Sequence, residues 1–289
     1  MLSAGIHSGV SFARYRSGEG LPAPAVSGSD LVHLDSECAA YAFAFWRGNP
    51  KREESDDTAA TAFGTAAHAL ILEGFEAFSA RYVVKPENLN LSTKAGREWK
   101  ANIDGHEIIS HDAFVRILNM RAGLLAHPDA SRILNAGGKP ELTMCAQDPV
   151  SGLWLLARPD LFVERAGLLV NLKTARNLAP DDFARQVWSL RYYLSDAFVR
   201  YVARLCGIDE PKHAFLVVGN EAPHLGYVAA LKADAAEWGA RQVRILLDQF
   251  ASCVSSGVWP SYCDGVLELA LPAYAATKIA TKIQTGEAA

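Results

Sequence analysis

The sequence predicts a mixed α/β fold with one central sheet flanked by helices. Segments of helical period with capping residues at their starts fill residues 29–134. Three short strand-like runs follow across residues 139–175: KPELTMCAQDP, SGLWLLARPDLFVE and GLLVNLKTA, separated by the turn signals PVSG and RAG. A long helical stretch from Pro180 to Cys206 then leads to two further strands, HAFLVVGNE and LGYVAALKA. A connection of that length suits a crossover between strands of one sheet.

Taken in order, residues 1–26 read as a flexible N-terminus, and a helix begins near Ser29 in SDLVHLDSECAAYAFAFW. GNPKREESDD reads as an exposed loop. TAATAFGTAAHALILEG is a second helix, whose small residues allow close packing. Residues 81–105 are polar and irregular. ISHDAFVRILNMRAGLLAHPDASRIL is helical with an interruption near His127-Pro128, where the proline ring opposes continuation. Gly137-Gly138 is a turn before the first strand of the meander. DAAEWGARQVRILLDQFASCVSSG closes the pattern as an amphipathic helix. Residues 27–275 form one domain in this reading, and residues 276–289 form a tail.

The composition excludes several classes. Half of the 289 residues are hydrophobic and 21% are charged, which opposes extensive disorder. The formal net charge of −4 excludes a broadly basic coat, so nucleic-acid binding would need a confined patch. No apolar run approaches the roughly 18 residues of a membrane helix, so no membrane role is expected. The start lacks a secretory pattern, and a cytoplasmic location is expected. The five cysteines contain no C-x-x-C pair, which opposes a zinc knuckle. No Walker loop, dinucleotide fingerprint or G-x-S-x-G elbow is present.

The chemistry concentrates in Ala157-Arg158-Pro159-Asp160 and, eleven positions after Asp160, Asn171-Leu172-Lys173. On adjacent antiparallel strands, Asp160 and Asn171 fall side by side. Alternation puts Asn171 and Lys173 on one face and Leu172 in the core. A carboxylate, an oxygen ligand and a lysine suit metal-assisted phosphodiester hydrolysis, and a solvent-facing hairpin with an ion pair is the structural alternative.

The segments FGTAAHALILE, STKAGREW, GGKPELTM, DPVSGLWLLARPDLF, LLVNLKTARN, DDFARQV, GVWPSY and LALPAY occur in this order. In that order they resemble the RecE-like (exonuclease VIII) branch of the PD-(D/E)XK nuclease superfamily, from about Ser27 to Tyr274. The resemblance implies a restriction-endonuclease-like core and a Mg²⁺-dependent exonuclease, with Mn²⁺ as a possible substitute. It makes Asp160 the first catalytic carboxylate, Lys173 the catalytic lysine, Glu141 a further acid and His68 a metal ligand. Residue 171 and the backbone carbonyl of Leu172 would complete the metal site. It also implies 5′→3′ action on double-stranded DNA ends, a single-strand annealing partner, a ring-like homo-oligomer and a phage or prophage recombination setting.

Two departures stand out. The family carries Asp where this chain has Asn171; an amide oxygen can ligate Mg²⁺ but brings no charge. That loss suits either an inactivating substitution or natural divergence, and it opens the alternative of a catalytically weakened or silent DNA-binding or protein-interaction module. Relatives also carry Gln-x-x-x-Tyr in the crossover helix, where this chain has Ser195 and Val199; Arg191, Tyr192 and Tyr193 are the candidate substitutes. Lys94, Arg97 and Lys100 are the expected DNA-phosphate contacts. Trp238 and Trp259 read as structural. Cys38, Cys253 and Cys263 read as structural cysteines rather than iron–sulfur ligands.

Overall fold

The computed structural model describes residues 2–53, 59–103 and 105–286. Part of the expected loop at 48–57 and the last residues of the expected tail lie outside the described residues. The strands are β1 (Gly5–His7), β2 (Val26–Ser27), β3 (Tyr82–Val84), β4 (Glu107–Ile109), β5 (Lys139–Pro140), β6 (Thr143–Gln147), β7 (Trp154–Ala157), β8 (Leu161–Val163), β9 (Leu168–Ala175), β10 (Lys212–Gly219) and β11 (Gly226–Ala229).

The fold is mixed α/β with sheets flanked by helices, but the expected central sheet is divided. One sheet has the order β1-β6-β7-β2 and the other β11-β10-β9-β8-β5, while β3 and β4 form a small parallel pair. The division falls between Ala157 and Leu161, where Pro159 has no N–H to give to a ladder. The pairs β6–β7 and β8–β9 are antiparallel. The parallel pair β9–β10 is joined through the helices Pro180–Ser189 and Tyr192–Leu205. These replace the single helical stretch expected from 180 to 206, and Arg191 between them has φ +56°.

Alternation along the strands feeds two cores. Phe162 and Leu169 face a core built with helices Gly28–Ser36, Tyr192–Leu205 and Ala233–Ser256. Leu161, Val163, Val170 and Leu172 face the other, built with helices Ala59–His68 and His111–Ala126. Phe250 is fully buried in the first core, edge-on to Trp46 and Trp259 at 5.3 and 5.1 Å between ring centroids. Trp259 is thus structural as expected. Trp238 is not, because 64% of it is exposed on the outer face of its helix.

Other expectations are corrected. Residues 2–26 are packed rather than loose: β1 pairs with β6, β2 with β7, and Leu2, Val10 and Ala25 bury against Cys145 and Leu156. Residues 81–105 hold β3 and the helix Lys94–Ala101, whose Thr93 cap accepts from the Gly96 amide at 3.1 Å. The helical run expected from Ser29 divides into Gly28–Ser36 and Ala39–Phe45. The C-terminal helix Ala273–Thr285 spans the expected boundary at 275 and buries none of its side chains. The break at His127-Pro128 falls as read, with His127 capping the helix Pro128–Leu134. Among the described residues, no helix is long and apolar enough to cross a membrane.

Candidate active site

The register of β8 on β9 pairs Leu161 with Val170, so the next residues outward, Asp160 and Asn171, lie opposite each other. Leu172 points into the second core at 1% exposure, while Asn171 and Lys173 remain partly accessible. The amide of Leu172 donates to Asp160 Oδ2 at 2.7 Å, anchoring the carboxylate at the sheet edge.

The helix Ala59–His68 ends at His68, and a π-helical turn, Ala69–Glu73, follows at once. Buried Ala69, Leu70 and Ile71 fix that turn, and His68 Nδ1 comes to 3.5 Å from Asp160 Oδ2. Glu141 lies just past β5, with its amide donating to the Asp160 carbonyl at 3.2 Å. Its Oε2 is 2.7 Å from Arg158 Nε. Burial and the nearby Asp160 charge raise the Glu141 carboxyl above its ordinary value, although Arg158 and His68 oppose the rise.

One ligand atom each from His68, Glu141 and Asp160 lies within 4.8 Å of the others. Among the described residues, this is the group of three or more His, Cys, Asp and Glu side chains with metal-site geometry. Two carboxylates and one imidazole, all half-buried, fit a divalent ion such as Mg²⁺ or Mn²⁺. The cysteines are free and outside this group.

Lys173 Nζ sits 4.6 Å from the centroid of the Tyr192 ring. Of the candidate substitutes for the missing Gln-x-x-x-Tyr pattern, Tyr192 is therefore the one against the lysine. Tyr193 donates from its hydroxyl to Gln242 at 3.1 Å, and Arg191 pairs with Asp35. Val199 is buried in the first core, while Ser195 is half-buried.

The Asn171 amide oxygen has a partner on the neighbouring strand β10. Its Oδ1 is 2.8 Å from His213 Nε2, and His213 Nδ1 is 2.9 Å from Asp196 Oδ1. Asp196 also accepts from Arg200 Nε and Nη2 at 2.8 and 2.6 Å. Burial opposes the Asp196 charge, but His213 and Arg200 outweigh it and hold the carboxyl below its ordinary range. Lys94, Arg97 and Lys100 recur every three residues along the exposed helix Lys94–Ala101, and Lys94 pairs with Glu98 at 3.8 Å.

Arg158, Asp196 and His213 were not singled out from the sequence. Arg158 lies in the break between β7 and β8, where strand alternation assigns no face, so its contact with Glu141 had no local signal. The pairing of residue 171 with 213 is set by the β9–β10 register, for which the sequence carries no local signal.

The structure thus brings together a carboxylate cluster at the edge of a mixed sheet, with Lys173 two positions beyond Asn171 on β9. The model of a family described as a PDDEXK-like domain of unknown function (DUF3799) matches residues 27–269. The chain belongs to that family. Its fold is similar to the crystal structure of a putative exonuclease from Eubacterium rectale, with a TM-score of 0.59 and 13% identity over 92% of this chain and 94% of that one. No curated protein matches the chain.

Proposed function

We propose that this protein is a metal-dependent nuclease hydrolysing phosphodiester bonds of DNA. The observation that carries the reading is the convergence of His68, Glu141 and Asp160 within 4.8 Å at the edge of the sheet whose strand β9 bears Lys173. His68, Glu141 and Asp160 would hold Mg²⁺ or Mn²⁺. When bound, the ion supplies Lewis-acid polarisation of the scissile phosphate and lowers the pKa of a coordinated water. Lys173, held over Tyr192, is placed to offset charge developing on the phosphate or to orient the attacking water.

The finer reading is an exonuclease of the RecE-like type. It would act on double-stranded DNA ends, not by bulk charge but through a local patch such as Lys94, Arg97 and Lys100. Polarity 5′→3′, a single-strand annealing partner and a ring-like assembly in phage-type recombination belong to the same proposal. The similarity to the Eubacterium rectale structure supports the fold of this reading.

One observation favours a second reading, a nuclease fold that binds DNA without cutting it. Residue 171 brings no charge, and its amide oxygen is already held by His213. Incubating end-labelled linear duplex and closed circular duplex with Mg²⁺ or Mn²⁺, beside Asp160→Asn and Lys173→Met, separates the two. Loss of the linear substrate alone, abolished in both variants, supports the exonuclease. Cutting of both substrates leaves a nuclease but rejects action from ends. DNA binding without cleavage by the unaltered chain rejects the enzyme and favours the silent module.

A further inference from the structure

The family match begins at residue 27, yet the segment before it reaches the metal group through the Arg158 side chain. Arg158 is buried, with 9% of its side chain exposed, and its Nε is 2.7 Å from Glu141 Oε2. The other side of the guanidinium is held by the N-terminal segment. Nη2 donates to the Val10 carbonyl at 3.0 Å, and the guanidinium carbon lies 5.3 Å from the centroid of the Tyr15 ring.

These anchors are themselves fixed. Val10 packs in the small core with Leu2, Ala25, Cys145 and Leu156, and Arg47 Nη1 donates to the Tyr15 carbonyl at 3.1 Å. Glu141, by contrast, is held in an unfavourable backbone conformation. Its φ is +53°, in the left-handed region that a side chain with a Cβ rarely adopts. Such a conformation persists where the surroundings impose it, and here they are the Asp160 carbonyl on the Glu141 amide and Arg158 on its carboxylate.

We propose that Arg158, clamped by Val10 and Tyr15, is a positioning residue that aims Glu141 at the metal group, so that the N-terminal segment outside the family domain is part of the site. The inference rests on the metal-site reading given above. Only a planar guanidinium can meet a carboxylate, a carbonyl and an aromatic face together, and a lysine at the same place keeps the charge but loses that geometry.

The test is calorimetric titration of the full chain with Mn²⁺, which needs no cleavage. Supporting partners of metal ligands typically contribute about 10–100-fold in affinity, so Arg158→Lys is expected to weaken Mn²⁺ binding by that factor. Tyr15→Leu, which removes one wall of the clamp, is expected to weaken it less, in a protein still folded by circular dichroism. If Arg158 acts through Glu141, adding Arg158→Lys to Glu141→Ala costs no further affinity. Wild-type affinity in both Arg158→Lys and Tyr15→Leu would overturn the proposal, as would full additivity with Glu141→Ala. Failure of the unaltered chain to bind Mn²⁺ would instead overturn the metal-site reading, and this proposal with it.

Discussion

Replacing Asp148 by asparagine removes one charge from the turn between β6 and β7 while keeping its shape. The Asp148 side chain is fully buried. It accepts from the Ser151 amide at 2.9 Å, from the Ser151 and Tyr201 hydroxyls and from Arg244 Nη1 at 2.9 Å, tying the hairpin to two helices. Burial alone would raise its pKa, but these donors bring it down from 3.8 to about 2. That fall corresponds to about 2 kcal/mol of stability at neutral pH.

Because the folded pKa is the lower one, this stability is fully present above pH 3.8 and is lost as pH falls through about 2. Linkage leaves about 1 kcal/mol of it at pH 3. At pH 7, Asp148→Asn should therefore lower the urea midpoint by an amount equivalent to about 2 kcal/mol, or about 4 °C in thermal unfolding. The gap between variant and unaltered chain should narrow steadily below pH 4. Arg244 keeps Asp248 as a partner at 2.7 Å, so the variant does not strand a buried cation. No gap at pH 7, or a gap unchanged at pH 3, would refute the reasoning.

Phe250→Ala should cost about 3–5 kcal/mol in urea unfolding, because its ring is fully buried between Trp46 and Trp259. Gly123→Ala should destabilise by about 1–3 kcal/mol or more, since a Cβ there would stand 1.8 Å from the His224 carbonyl oxygen; thermal melting reads the loss. Asn171→Asp places an acceptor-only carboxylate against His213 Nε2, while His213 Nδ1 lies 2.9 Å from Asp196 Oδ1. A charge-assisted bond of about 1.5–3 kcal/mol then competes with metal coordination. Asn171→Asp with His213→Leu should consequently bind Mn²⁺ at least about tenfold more tightly than Asn171→Asp alone in calorimetric titration.

The sequence was most informative where function depends on neighbours along one chain segment. Asp160 opposite Asn171, with Leu172 turned inward, follows from strand alternation and a short connection. The long helices and the break at Pro128 follow from period and proline chemistry. What escaped was set by contacts between distant segments. The packing of residues 2–26 depends on the free edges of β6 and β7, which no local pattern announces. Splitting of the sheet at Pro159 was missed because SGLWLLARPDLFVE, lying between two turn signals, was read as one strand-like run despite the Arg158-Pro159-Asp160 interruption. The engagement of Asn171 by His213 needed the parallel register of β9 and β10, which only the folded chain defines. Trp238 was misread because an aromatic on an amphipathic helix is usually a core residue, whereas here it faces outward.

The proposed metal group draws its members from a helix end, a bend and a sheet edge, spread along the chain from His68 to Asp160, with Lys173 beyond them. Glu141 also depends on Val10 and Tyr15 through Arg158. No contiguous fragment shorter than this span contains the group, and a chain still emerging from the ribosome has no β9 to anchor Asp160. The proposed chemistry would therefore await completion of the fold, because the group that carries it is assembled only when these distant segments meet.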